Sequence, residues 1–140
     1  MMRVFHSLNV AGSALTAHRL WMDTISENLA NVNTTRSGDG GPYVRRVPVF
    51  AERLDRELSP NSASGGVKVT AIAQDPLPPR LVYQPEHPDA NEEGYVAYPN
   101  VNVVREMTDM IVASRAYEAS LSIVDTGKAM WNSALEVLKG

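Results

Sequence analysis

The sequence predicts an α+β protein in which long N- and C-terminal helices pack as a coiled-coil-like stem around a small antiparallel β-rich insertion. The first observation is the stretch from Asn100 to Lys139, which holds one glycine and no proline and at ~1.5 Å per residue would make a helix of about 60 Å. The second is its apolar stripe. Val103, Met107, Met110, Ser114, Tyr117, Leu121, Val124, Lys128, Trp131, Leu135 and Leu138 recur at alternating steps of four and three, the spacing that turns one face toward a partner helix. The third is that Val4, Leu8, Ala11, Leu15, His18, Met22, Ile25, Leu29 and Val32 repeat the same alternation at the other end. A globular helix averages about 11–12 residues, so a stripe this long needs another helix to cover it, and the two ends read as partners.

Taken in order, the first helix runs from about Arg3 to Val32, with Gly12, Ser13, Ala14 and Ala17 allowing close backbone approach. It should end in Asn28-Leu29-Ala30-Asn31-Val32-Asn33-Thr34-Thr35, because asparagine and threonine favour caps and turns over helix interior. Ser37 to Pro42 is a loop by composition, and Tyr43 to Phe50 alternates as a strand. Pro48 marks that strand as an edge or a bulge. Phe50, Leu54 and Leu58 fit a helix and a strand face equally. After a second loop, Val67 to Ile72 is the clearest strand. Asp75-Pro76-Leu77-Pro78-Pro79 breaks it, Arg80 to Tyr83 is a short return strand, and Tyr95 to Tyr98 is extended. Residues before proline avoid the helical region, so the long helix should begin after Pro99 with Asn100 or Asn102 as its cap. Three segments follow: an N-terminal helix over 1–35, a β-rich insertion over 36–99 and a C-terminal helix over 100–140.

The whole chain has 140 residues, 44% hydrophobic and 21% charged, with a net charge of −3. Nucleic acid is not an expected partner, because a phosphate-tracking surface needs clustered Lys and Arg; the nearest approach, Arg45-Arg46, reads as a solvated strand face. Without cysteine there is no disulfide framework, thiolate metal site or cysteine nucleophile. No apolar run reaches the ~20 residues that span a bilayer, and no secretory signal is evident at the N-terminus.

Catalytic chemistry finds little support. His6 and His18 lie twelve residues apart on one helix, about 18 Å along its axis, and His18 on the stripe reads as a packed, hydrogen-bonded imidazole. The loop His87-Pro88-Asp89-Ala90-Asn91-Glu92-Glu93-Gly94 gathers oxygen ligands suited to a hard cation, but it lacks the spacing of a calcium loop. No nucleophile elbow, phosphate loop or paired-histidine zinc helix occurs. The expectation is a non-enzymatic interaction protein with no catalytic residue, no metal and no cofactor. The competing readings are a cell-wall-associated helical-hairpin adaptor or binding module and, behind it, a metal-dependent hydrolase using His87 and Asp89.

Ser26-Glu27-Asn28-Leu29-Ala30-Asn31-Val32-Asn33-Thr34 closely resembles the S-x-N-[IL]-A-N-x-N-T signature of bacterial flagellar axial proteins, the rod, hook and hook-associated subunits. His87-Pro88-Asp89-Ala90, Gly94-Tyr95-Val96, Tyr98-Pro99-Asn100-Val101-Asn102, Glu106-Met107 and Ala113-Ser114-Arg115-Ala116-Tyr117-Glu118 resemble its proximal-rod branch, and the resemblance covers nearly the whole chain. Ser120 stands where that branch frequently has asparagine. The resemblance implies a structural subunit of the basal-body rod, the drive shaft from motor to hook, in the periplasmic and cell-wall zone. It implies delivery by the flagellar type III export apparatus without signal cleavage. Its implied partners are other proximal-rod proteins, the rod-to-ring adaptor protein and copies of itself.

Stripes and signature together assign an assembly interface. On the N-terminal side it comprises Leu8, Leu15, Met22, Ile25, Leu29, Asn31, Val32 and Asn33; on the C-terminal side Val103, Met107, Met110, Tyr117, Leu121, Val124, Trp131, Leu135 and Leu138. Tyr117 and Trp131, the largest side chains of the second stripe, are expected to lie mainly between subunits.

Overall fold

A computed structural model describes residues 2–38, 40–53 and 65–139. The chain is α+β: helix α1 (Met2–Ala30), strands β1 (Arg46–Glu52), β2 (Val67–Gln74), β3 (Arg80–Tyr83) and β4 (Tyr95–Tyr98), and helix α2 (Val103–Lys139). The two helices form an antiparallel hairpin. At its open end Phe5 meets Trp131 edge to face, with ring centroids 5.2 Å apart, and at its closed end Asn28 bonds Glu106. Asn102 starts α2, its side-chain oxygen accepting from the Arg105 N–H at 3.1 Å and its carbonyl from the Glu106 N–H, the arrangement of an N-cap.

The seam between the helices is rotated from the apolar stripe. Facing α1 are Glu106, Ala113 and Ser120, all buried, and Gly127, where an added Cβ would lie 2.8 Å from Leu8 Cδ2. These four are spaced by seven, and half-buried Met110, Tyr117, Val124 and Trp131 alternate with them. Val103, Met107, Leu121, Leu135 and Leu138 are exposed. Hydrophobicity marked the stripe, but helix axes that approach closely select small side chains at the point of contact.

Helix α1 is the middle layer, packed against α2 on one face and against the β1–β2 ribbon on another. Its second face carries Ser13, Ala17, Trp21, Thr24 and Asn28, at steps of three and four. Trp21 meets Phe50 of β1 edge to face at 5.9 Å. Ser13 Oγ donates to Val10 O at 2.7 Å and accepts from the Val67 N–H at 3.1 Å, so the ribbon lies along the hairpin instead of projecting beyond it.

Strands β1 and β2 pair antiparallel from Arg46↔Gln74 to Glu52↔Val67 with one register shift, Val49 opposing Ala71 and Phe50 opposing Val69. Thr70 is the extra residue, its hydroxyl donating to Val49 O at 3.2 Å. The bulge expected from Pro48 therefore sits on the partner strand, two residues beyond Pro48's own partner Ile72. Of the ambiguous Phe50–Leu58 stretch, 50–52 is strand and 54–58 falls outside the described residues.

One expectation is corrected: β3 does not return against β2. It pairs with β4 from Arg80↔Tyr98 to Tyr83↔Tyr95, so there are two separate two-stranded sheets. Three prolines between 76 and 79 fix φ and remove N–H donors, preventing a tight reversal. Asn100 holds the segment, its amide donating to Asp75 O at 3.3 Å and Leu77 O at 2.9 Å. Gly94 then turns the chain back at φ +83°, where a Cβ would sit 2.9 Å from Tyr83 Cε2.

Gly66 tests the docking of the ribbon. At φ +113° its added Cβ would run into Ser13 Oγ and lie 3.5 Å from Val10 Cα. Gly66→Ala combines left-handed strain with a backbone-side clash, each costing on the order of 1–3 kcal/mol. A clear drop in the thermal unfolding midpoint is expected, whereas Gly38→Ala, which meets no atom within 4 Å, should leave it unchanged.

Candidate functional site

The most constrained chemistry lies where the closed end of the hairpin meets the first ribbon. Asn28, 1% exposed on α1, makes every hydrogen bond an amide side chain can make. Its Nδ2 donates to Glu106 Oε2 at 3.0 Å and Arg46 O at 2.9 Å; its Oδ1 accepts from the Tyr43 hydroxyl and the Arg46 N–H, both at 2.9 Å. Glu106 is fully buried, and its other oxygen accepts from Arg45 Nε at 2.5 Å. The Arg45 guanidinium also reaches Asp75 Oδ2 at 3.1 Å and Asp109 Oδ2 at 3.5 Å. Its backbone closes the knot: the N–H donates to Asn100 Oδ1 at 2.9 Å and the carbonyl accepts from the Asp75 N–H at 2.8 Å.

The guanidinium thus joins the entry to β1 to the chain just after β2 and to the start of α2. Burial of Arg45 works against its charge, but the hydrogen bond and charge of Glu106, followed by those of Asp75, outweigh burial and hold its pKa above the ordinary arginine value. Burial, then the negative charge of Glu27, raises the Tyr43 hydroxyl above its usual value, with Arg46 pulling the other way. The hydroxyl stays protonated and keeps donating to Asn28.

The asparagine-rich signature resolves into separate tasks. Asn28 ties α1 to β1 and α2. Asn31 closes the helix, its amide donating to Glu27 O at 2.9 Å and its oxygen accepting from Thr34 Oγ1 at 3.1 Å. Thr34 O accepts from the Tyr43 N–H at 3.0 Å, which starts the run into β1. Leu29 and Val32 are half-buried, and Asn33 is exposed.

The remaining positions assigned to an interface divide by burial. Ile25 is buried, and Leu8, Leu15 and Met22 are half-buried within the chain's own packing. Trp131, expected mainly between subunits, is half-buried against Phe5 of the same chain, and Tyr117 is half-buried on the same face of α2. Val103, Met107, Leu121, Leu135 and Leu138 face outward.

Arg45 corrects the reading of Arg45-Arg46 as a solvated pair. Only Arg46 is exposed, bonded to Glu27 at 2.7 Å; Arg45 is 7% exposed. Sequence reasoning missed Arg45, Glu106 and Asp75 because each is an ordinary surface residue type. The available signal was Glu106 itself, an isolated carboxylate in phase with Ala113, Ser120 and Gly127. His18 also differs from expectation: its Nδ1 is buried with no hydrogen-bond partner.

The loop from His87 to Gly94 is bonded both within itself and to the chain leaving α1. Asp89 accepts from Thr35 Oγ1 at 2.8 Å and from Arg36 at 2.6 Å, and its N–H donates to His87 Nδ1 at 3.1 Å. Asp89 thus fastens this loop to the chain leaving α1. Among the described residues no group of three or more His, Asp or Glu side chains is placed to hold a metal ion. No described helix is long and apolar enough to cross a membrane.

Removing Arg45 leaves Glu106 as a buried carboxylate held only by the Asn28 amide, at about 3–5 kcal/mol, whereas removing Glu106 leaves Arg45 with Asp75 and Asp109. Arg45→Ala should destabilise by that order and Glu106→Ala by less, with the double variant less destabilised than their sum. Denaturant unfolding of the four proteins measures the coupling; additive losses would show that the pair acts independently.

Comparison with known proteins bears directly on this architecture. Residues 8–36 match the family described as "Flagella basal body rod protein" and residues 92–137 match "Flagellar basal body rod FlgEFG protein C-terminal". The chain is 45% identical to the flagellar basal-body rod protein FlgC of Borreliella burgdorferi and 43% identical to that of Bacillus subtilis, covering 99% of this chain and 100% of each relative. To the FlgC of Salmonella typhimurium it is 38% identical, over 92% of this chain and 93% of the relative.

Proposed function

The chain belongs to the FlgC family of flagellar basal-body rod proteins, and from that premise we propose how its helical hairpin builds the rod. It is a structural subunit of the proximal rod, located in the basal body, and it assembles with other basal-body rod components. Similarity over the full length leaves the adaptor reading without support. We assign the chain no catalytic role: its most buried polar groups satisfy one another, and Asp89 is engaged by Thr35 and Arg36.

The observation that carries the proposal is the apolar surface left over after the hairpin has closed. Val104, Met107, Ile111, Val112, Ile123, Met130, Val137 and Leu138 are all more than half exposed on α2. Large apolar side chains exposed in this number along one helix mark protein contacts. In the proposed assembly, segments 1–35 and 100–140 form the helical core and 36–99 surrounds it. Val103, Met107, Leu121, Leu135 and Leu138 contact neighbouring subunits directly. Leu8, Leu15, Met22, Ile25, Met110, Tyr117, Val124 and Trp131 act indirectly by holding α1 on α2. Leu29, Asn31, Val32 and Asn33 shape the closed end. Interlocked side chains cannot slide without opening packed contacts, so torque passes through packing. The partners proposed are other proximal-rod proteins, the rod-to-ring adaptor, the type III export apparatus and further copies of the chain, in the periplasmic and cell-wall zone.

Met107→Asp and Leu121→Asp separate assembly from folding. Both positions are exposed, so unfolding of the isolated subunit should change by no more than about 0.5 kcal/mol. In a neighbour contact, however, an unpaired carboxylate costs several kcal/mol. Loss of swimming and of recovered rods with unchanged unfolding is expected; normal motility in both variants would remove these positions from the interface.

A further inference from the structure

The β3–β4 ribbon turns one face into the fold and leaves the other uncovered. Antiparallel partners share a face and neighbours along a strand alternate, so the pairing places Arg80, Tyr98, Val82 and Val96 on one side and Leu81, Ala97, Tyr83 and Tyr95 on the other. Val96 is fully buried, whereas Leu81 and Tyr83 are each 63% exposed and Tyr95 is 40% exposed. The uncovered side is held firmly. Tyr83 and Tyr95 pack edge to face with ring centroids 5.3 Å apart. Asn91 Oδ1 accepts from the Glu93 and Tyr95 N–H groups at 3.0 and 2.8 Å, and Gly94 O accepts from the Gln84 N–H at 2.9 Å. Aromatic side chains already fixed by the fold lose little freedom on binding, and tyrosine is among the residues that dominate contact energies.

Charge decides what covers this face. Glu86, Glu92 and Glu93 lie in the loop that joins β3 to β4, all exposed and none ion-paired among the described residues. Asp89, the remaining carboxylate of that loop, is taken by Arg36, and the loop holds no lysine or arginine. Two other tyrosines show what such rings accept: Arg46 lies 5.8 Å from the Tyr43 ring centroid and Arg80 5.6 Å from that of Tyr98. Among the described residues Tyr83 and Tyr95 carry no arginine of their own. We propose that the Leu81, Tyr83 and Tyr95 face docks a basic segment of another protein, an arginine lying on the tyrosine rings beside the loop carboxylates and an apolar neighbour resting on Leu81. Arginine fits better than lysine because a planar guanidinium stacks on a ring and forks onto a carboxylate at once. An acidic or wholly apolar partner would repel or desolvate three carboxylates without pairing them, which is costly. That the partner belongs to the basal body rests on the rod reading above; the contact itself uses no residue of α2 and is separate from the helical interface.

Two short peptides of leucine, glycine and either arginine or glutamate, otherwise identical, are titrated into the full chain while the ring signals of Tyr83 and Tyr95 are followed by NMR. The arginine peptide should bind and shift those signals, and the glutamate peptide should do neither. Tyr83→Ala with Tyr95→Ala should weaken binding about tenfold and Glu92→Gln with Glu93→Gln about fivefold. Glu136→Gln, at an exposed carboxylate on α2, should leave it unchanged. Binding that survives loss of both tyrosines is bulk charge attraction and would overturn the proposal, as would equal binding of the two peptides. Should alanine unsettle the ribbon, Glu92→Arg with Glu93→Arg in the exposed turn reads the same contact in cells: swimming should fall while unfolding of the isolated chain is unchanged. Normal swimming in that variant, or self-association of the chain that the arginine peptide abolishes and that therefore puts a second copy on the face, would also overturn it. Normal basal bodies in cells lacking the chain would instead remove the rod reading and leave the peptide result standing.

Discussion

The bond between Arg45 and Glu106 fixes how the chain's parts meet. Arg45 stands at the entry to β1 and Glu106 in the first turn of α2, and both are buried. A buried ion pair of this kind adds little net stability over a well-packed apolar substitute, because desolvation offsets attraction. What it imposes is geometry, since both charges are satisfied in one arrangement of α1, β1 and α2. Asn28 extends that constraint by spending all four of its hydrogen-bonding positions on β1, Tyr43 and Glu106. Asp75 and Asn100 carry it to the second ribbon. For a part that transmits torque, a joint with one permitted angle is more useful than a joint with additional stability.

Away from that joint the hairpin is held by close approach along a small-residue seam. Ala113, Ser120 and Gly127 let α2 lie near α1, and the aromatic pair of Phe5 and Trp131 closes the open end. A thin seam has a consequence for the remainder of α2: its large apolar side chains, displaced from the intramolecular contact, are left outside. Fold and assembly thereby divide one helix surface, with small residues serving the hairpin and large ones available to neighbours. The Nδ1 of His18 on α1 is the one buried polar side-chain atom among the described residues that this packing leaves without a hydrogen-bond partner.

Much of the architecture was legible because its signals are local. A long stretch free of proline gave α2, a proline followed by capping asparagines gave its start, and Val67 to Ile72 gave a strand by alternation and β-branching. The asparagine-rich signature gave the family. Its meaning was not legible, since only coordinates show that Asn28 joins three elements while Asn31 closes a helix and Asn33 faces outward. Asp89 is similar: as a sequence feature it suggested a cation ligand, and in the fold it anchors Thr35 and Arg36.

By itself the sequence determined the two helices, their pairing, the presence of short strands and membership of the rod family, because periodicity, chain stiffness and motif spacing act over a few neighbouring residues. The tertiary structure decided which face of α2 meets α1, since contact distance favours Ala113, Ser120 and Gly127 over the larger side chains that hydrophobicity favours. It also decided that Arg45 is buried while Arg46 is exposed. Adjacent strand residues point to opposite faces, and which face becomes interior depends on Glu106, sixty-one positions away along the chain.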